Sequence, residues 1–163
     1  MAYYLQPTDY VGISFWIVSV AMLAATVFFL YEGTQVKSSW RVSLLVVGLV
    51  TLIATIHYYY MRELWVNTGE SPIVYRYIDW LLTVPLQMIE FYLILVAAGL
   101  AVSAGVFWRL LIGTLVMLLG GYAGENGWLS PTVGFVIGMA GWIFIVFEIF
   151  RGESSTLATK NES

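Results

Sequence analysis

The stretch RYIDWLLTVPLQMIEFYLIL, residues 76–95, decides how this chain is read. Its strongly polar side chains are Arg76, Asp79, Thr83, Gln87 and Glu90; the rest is apolar or aromatic. An α-helix turns about 100° per residue. With Arg76 at zero, the other four fall at about 300°, 340°, 20° and 320°, so all five share an arc of about 80°. Asp79 and Glu90 then lie about 16 Å apart along the axis. Ionisable groups are costly in hydrocarbon-like surroundings and mark ion paths or buried pairs. Two carboxyl groups at different depths on one face, with hydrogen-bonding groups between them, are what a proton path requires. The same stripe could also be a polar seam that joins helices. A lone threonine or glutamine favours the seam, whereas two aligned acids with an arginine favour transport.

The remainder of the chain agrees with a membrane setting. Hydrophobic residues make up 60% and charged residues 10% of the 163, against about 25% charge in soluble domains. Mean hydropathy is +0.84. The net charge of −3 and the lack of a basic tract argue against a nucleic-acid partner. With no cysteine and one histidine, neither disulfides nor a thiolate or transition-metal site is expected. The sequence has no Gly-rich phosphate loop and no nucleophile elbow, so nothing marks it as an enzyme.

Runs of about 20 apolar residues predict five membrane-spanning helices at about 10–31, 40–61, 73–95, 106–122 and 131–150. The fold class is an all-α transmembrane bundle occupying residues 1–151, followed by a polar tail or loop start at 152–163. The connections 32–39, 62–72, 99–105 and 123–130 are short, so neighbouring helices should be antiparallel and in contact. Pro85 falls opposite the polar stripe, where a kink is expected. Gly120, Gly121, Gly134, Gly138 and Gly141 suit close helix packing. Lys37, Arg41, Arg109, Arg151 and Lys160 collect on one side against Arg62 on the other. The positive-inside rule then places the N-terminus outside and the tail in the cytoplasm.

His57 and Asp79 flank the same connection at similar depth. An imidazole beside a carboxylate would share its proton or stabilise its charge and so couple the two titrations, although a buried histidine can also be purely structural. Aromatic residues such as Tyr58–Tyr60, Trp65 and Trp128 read as interfacial belts. Trp80 and Trp142 lie deeper, and a flat apolar ligand between rings would explain both.

Residues 76–95, together with LVMLLGGYAGENG at 115–127 and a tryptophan in the next span, resemble the microbial rhodopsins, most closely the blue-absorbing proteorhodopsin branch. The resemblance covers nearly the whole apolar chain. It implies a seven-helix bundle that holds retinal as a protonated Schiff base on a lysine of the seventh helix, and a light-driven outward proton pump in a bacterial inner membrane. By resemblance, Asp79 is the counter-ion and proton acceptor, Arg76 belongs to the counter-ion complex, and His57 pairs with Asp79. Glu90 is the internal proton donor and rests protonated. Trp80, Thr83, Met117 and Trp142 line the retinal pocket, and Gln87 tunes colour, glutamine going with blue absorption. The residues Asp, Thr and Glu at 79, 83 and 90 match the proton pumps rather than the sodium or chloride pumps of the family. The expected surroundings are lipid and further copies of the chain in a homo-oligomer.

The chain reads as five spans where the family has seven. Lys37 and Lys160, its lysines, both flank spans in polar segments. The retinal-binding lysine and the sixth and seventh helices are therefore expected outside it, and pumping is expected of the complete protein. Two other readings stay open: a sensory photoreceptor using the same pocket, and a cofactor-free membrane protein whose polar seam serves packing alone.

Overall fold

The structure is a computed structural model that describes residues 4–153, 155 and 156. Five helices follow one another: α1 (Tyr10–Gln35), α2 (Ser38–Thr68), α3 (Ile73–Ala97), α4 (Ala104–Glu125) and α5 (Pro131–Arg151). All five are long and apolar enough to cross a membrane. Each packs on the next in sequence, with α1 on α2 and α4 on α5 the most extensive pairs. Large apolar side chains cover the outer surface: Val27 is 64% exposed and Phe147 60%. In water such a surface would aggregate; here it is the face presented to lipid.

Local signals set the helix ends. Asp9 caps α1 by accepting from the Gly12 amide at 2.9 Å. The same carboxylate accepts from Trp65 Nε1 at 3.0 Å, which ties the start of α1 to the end of α2. Helix α2 runs beyond the expected stop at Met61 and continues to Thr68. Hydropathy falls at Arg62, but nothing in Arg62–Thr68 breaks a helix. Gly69 ends it, with φ 69° and its amide bonded to the Trp65 carbonyl. The fall in hydropathy and the end of the helix are therefore different places in this element. Pro131 sits at the first position of α5, behind the Ser130 cap. Helix α3 is continuous through Pro85, which has no N–H to offer the Leu81 carbonyl.

Three further kinds of contact join the helices. Thr26 and Thr51 hydroxyls meet at 2.8 Å between α1 and α2. Val102, Val106, Leu110 and Ile145 form a buried cluster where α3, α4 and α5 converge, with Phe91 and Leu95 packed against it. Helices α4 and α5 meet backbone to backbone through glycines. A Cβ on Gly141 would stand 2.6 Å from the Met117 amide nitrogen and 2.7 Å from the Gly113 carbonyl oxygen. Gly141→Ala should therefore force the helices apart at a cost of about 1–3 kcal/mol. Gly33→Ala is the control, since its Cβ would meet only Leu44 at 3.9 Å. Thermal unfolding of the two variants in the complete protein should show a lowered midpoint for Gly141→Ala alone. Equal midpoints would show that the α4–α5 contact relaxes freely.

The tail begins with a docked residue. Glu153 accepts from the Ser103 amide at 2.9 Å, the Ser103 hydroxyl at 2.7 Å and Arg109 at 3.1 Å. The Ser103 hydroxyl, the Ser103 amide and the Arg109 guanidinium, in that order, hold the Glu153 carboxyl below the usual range. Residues 154 and 157–163, and with them Lys160, lie outside the described residues.

Candidate functional site

Helix α3 carries the site because its polar residues recur at helical spacing. Asp79, Thr83, Gln87 and Glu90 line one cleft of about 300 Å³ together with Trp80, and α2 closes it with Thr51, Ala54 and Tyr58. Asp79 is 2% exposed and Thr83 5%. Gln87 is exposed and Glu90 half-buried.

The surroundings of Asp79 are sparse. Its Oδ1 is buried without a hydrogen-bond partner. His57 Nδ1 approaches that oxygen at 3.7 Å, too long for a hydrogen bond but close enough for charge coupling. The same ring nitrogen lies 3.0 Å from the Ile53 carbonyl oxygen. Thr83 donates to the Asp79 backbone carbonyl at 2.9 Å rather than to its carboxyl.

Arg76 has a different partner from the one its helix face suggests. Its Nη2 lies 2.5 Å from Glu125 Oε2 at the end of α4. The Tyr77 hydroxyl donates to the other Glu125 oxygen at 3.1 Å. The Arg76 guanidinium also covers the Trp80 ring at 5.5 Å, and Trp80 packs edge-on against Tyr77 at 5.1 Å.

Met117 and Trp142 line a second cleft of about 440 Å³, with Tyr77, Gly121, Glu125 and Gly138. The nine residues singled out by sequence thus fall into separate neighbourhoods. Asp79, Trp80, Thr83, Gln87 and Glu90 share the first cleft, and His57 adjoins it through Asp79. Met117 and Trp142 share the second. Arg76 stands beside a third hollow with Tyr58 and Trp65, and the Tyr77–Trp80 pair bridges the two main clefts.

Sequence reading assigned no role to Glu125, Tyr77 or Glu148. Glu125 closes the quoted motif at 115–127, and antiparallel neighbours bring the end of α4 to the start of α3, so its meeting with Arg76 was readable in principle. Glu148 is 5% exposed and pairs with Arg109 at 2.8 Å. A glutamate and an arginine near opposite termini of adjacent antiparallel spans were the available signal.

Five apolar helices packed in sequence, with ionisable side chains turned onto shared clefts, define a multi-pass helical membrane protein with a polar site inside the bilayer. The profile of the bacteriorhodopsin-like protein family matches residues 9–163, and the chain belongs to that family. It is 56% identical, over 91% of its length, to the blue-light absorbing proteorhodopsin of Gamma-proteobacterium Hot 75m4, and covers 59% of that protein. Among solved structures it resembles the blue light-absorbing proteorhodopsin from Med12, with TM-score 0.81 and 52% identity over 94% of this chain and 72% of the other. Xanthorhodopsin, described as a light-driven ion pump with dual chromophore, matches with TM-score 0.78 and 25% identity over 97% and 69%. The chain spans about three fifths of the length of the curated relatives it matches.

Proposed function

We propose that the complete protein, of which this chain forms the first five spans, is a light-driven proton pump that uses retinal. The observation that carries the reading is that Asp79 and Glu90 line one cleft, on one face of one helix, with Thr83 and Gln87 between them. The relatives' names support light absorption, and the xanthorhodopsin description supports ion pumping.

The residues present fit retinal. Asp79 Oδ1 is buried without a donor, which is what a carboxylate awaiting a cationic N–H looks like. The second cleft offers Met117, Trp142 and a wall of small residues, where a Cβ on Gly121 would strike the Tyr77 hydroxyl at 2.8 Å. Trp80, Thr83, Gln87, Met117 and Trp142 would hold the polyene. Lys37 caps α2 at the opposite end of the bundle from Asp79's end of α3, so the Schiff-base lysine is assigned to a helix beyond this chain. Bound there, retinal would supply light absorption and a Schiff-base proton that is given up more readily on excitation.

The chain's own groups do the rest. Asp79 balances the cation at rest and takes the proton at its carboxylate, with His57 as its partner and Arg76 acting on it through space. Glu90 rests protonated and returns a proton from the other side. Lys37, Arg41, Arg109 and Arg151 gather at the end remote from residue 10, so that end faces the cytoplasm of a bacterial inner membrane. The protein assembles there as a homo-oligomer.

Illuminated vesicles or cells carrying the complete protein with retinal should show a visible absorption band and light-driven proton movement that a protonophore abolishes. A protein that forms no coloured pigment, or a pigment that moves no protons, overturns the reading.

Gln87 is the colour determinant in this scheme. It lines the same cleft as Trp80 and Thr83. A polar amide at this position would stabilise the ground-state charge distribution of a bound chromophore more than the excited one. Gln87→Leu removes the dipole at similar volume, so absorption should move to the red with pumping retained. Spectra of both proteins at alkaline pH decide it, and a blue shift or none defeats the assignment.

A further inference from the structure

Arg76 and Asp79 are three residues apart on one helix, where Cβ atoms sit about 5–6 Å apart. One guanidinium therefore has two carboxylates within reach, Asp79 on its own helix and Glu125 on α4. It is on Glu125. Two donors from α3 hold that carboxylate, Arg76 on one oxygen and the Tyr77 hydroxyl on the other. Among the described residues Arg76 makes no ion pair with Asp79. Arg76 Nε and Asp79 Oδ1 are each buried without a hydrogen-bond partner. Tyr58 lines both the hollow beside Arg76 and the cleft of Asp79, so the two groups are separated by little more than one side chain.

We propose that Glu125 is a positioning residue for the proton acceptor: it holds Arg76 at the end of α4, off Asp79, and so limits how far the arginine stabilises the Asp79 carboxylate. The inference rests on Asp79 being the acceptor in a retinal protein. Its physical content is a competition. A charge-assisted Arg–carboxylate contact is directional and strong, and a cation committed to one carboxylate acts on a second only through space. With the anion at 125 removed, the guanidinium is left with Asp79 as its remaining carboxylate, and a cation within about 4–6 Å favours the ionised acid.

The other groups around this pair are few. From α2, His57 and Tyr58 face Asp79, and Trp65 lines the Arg76 hollow while holding Asp9. From α3, Glu90 lines the far end of the Asp79 cleft and Tyr77 donates to Glu125; from α4, the Tyr122 ring meets Tyr77 at 5.1 Å. From α5, Pro131, Gly134 and Phe135 wall the Glu125 side, and none of these titrates. Substituting Glu125 therefore changes one charge in a small set.

The test is a titration of pigment colour against pH in the complete protein reconstituted with retinal, comparing wild type with Glu125→Gln, Glu125→Ala, Glu125→Asp, Arg76→Gln and the double variant Arg76→Gln/Glu125→Gln. The expected result is a colour transition moved to lower pH by about one unit in Glu125→Gln and Glu125→Ala. It should return toward wild type in Glu125→Asp. In the double variant it should coincide with Arg76→Gln, because Glu125 acts only through the arginine. A pair that merely ties α3 to α4 would lower thermal stability and leave the transition in place. A wild-type pigment that titrates while both Glu125 variants stay within error of it overturns the positioning role and leaves the pump reading standing. So does a shift that persists without Arg76. A wild type that forms no pigment, or one whose colour does not depend on pH, overturns both.

Discussion

Asp79→Asn is expected to abolish light-driven proton movement and to shift absorption to the red. Asp79 is the buried acid at the N-terminal end of the α3 face, 2% exposed, with an oxygen that no donor satisfies. An asparagine keeps the shape and, under the proposed function, would remove both the charge that balances the cation and the site that receives its proton. Removing the balancing anion brings the ground and excited states closer in energy, which is the red shift. The carboxamide has no affinity for a proton in the accessible range, so transfer has no destination. Vesicle acidification and a visible spectrum measured on one preparation check both halves. Pumping by Asp79→Asn at the wild-type rate would sink the assignment, and an unmoved spectrum would remove Asp79 from the vicinity of the chromophore.

Glu90→Gln should leave the first proton transfer intact and slow the return of a proton by on the order of 100-fold, the usual worth of a positioned acid. The reasoning is spatial. Glu90 lies about 16 Å along α3 from Asp79, and among the described residues Asp79 is the other carboxyl that lines its cleft. A glutamine keeps the hydrogen bonding and loses the transferable proton. Flash photolysis should then show a long-lived deprotonated intermediate whose decay small permeant acids accelerate. Decay at the wild-type rate at neutral pH would mean that the proton reaches the site by another route.

The α3 face was legible because spacing alone decides it, although only Asp79 and Thr83 of its residues are buried. Residues at 79, 83, 87 and 90 repeat every three or four positions in an apolar run, and a helix can present them in one way only. The five spans were legible for a related reason, since apolar runs of the right length have few other fates. What escaped was anything decided by long side chains or by helix ends. The stop of α2 is an example: the apolar run ends at the charge of Arg62, while backbone hydrogen bonding continues to Gly69. Arg76 is another. Its place on the face is a matter of periodicity, but whether the guanidinium turns to Asp79 or to Glu125 depends on where the end of α4 arrives, which no local pattern contains. Glu148 escaped because one acid in an apolar run, close to a terminus, looks like an interfacial charge until Arg109 of the preceding helix is seen beside it.

Pro85 lies between Asp79 and Glu90 in a helix that is otherwise unbroken. Its neighbours on both sides are stiff: α1 and α2 are bonded through Thr26–Thr51 and Asp9–Trp65, and glycine contacts deny α4 and α5 any room to slide. The absent rung of the α3 hydrogen-bond ladder is therefore a compliant joint set between two braced frames. Flexing there would change the distance from one carboxyl to the other while every helix keeps its partners, so in the proposed scheme the gap a proton must cross is set by the bend of a single element.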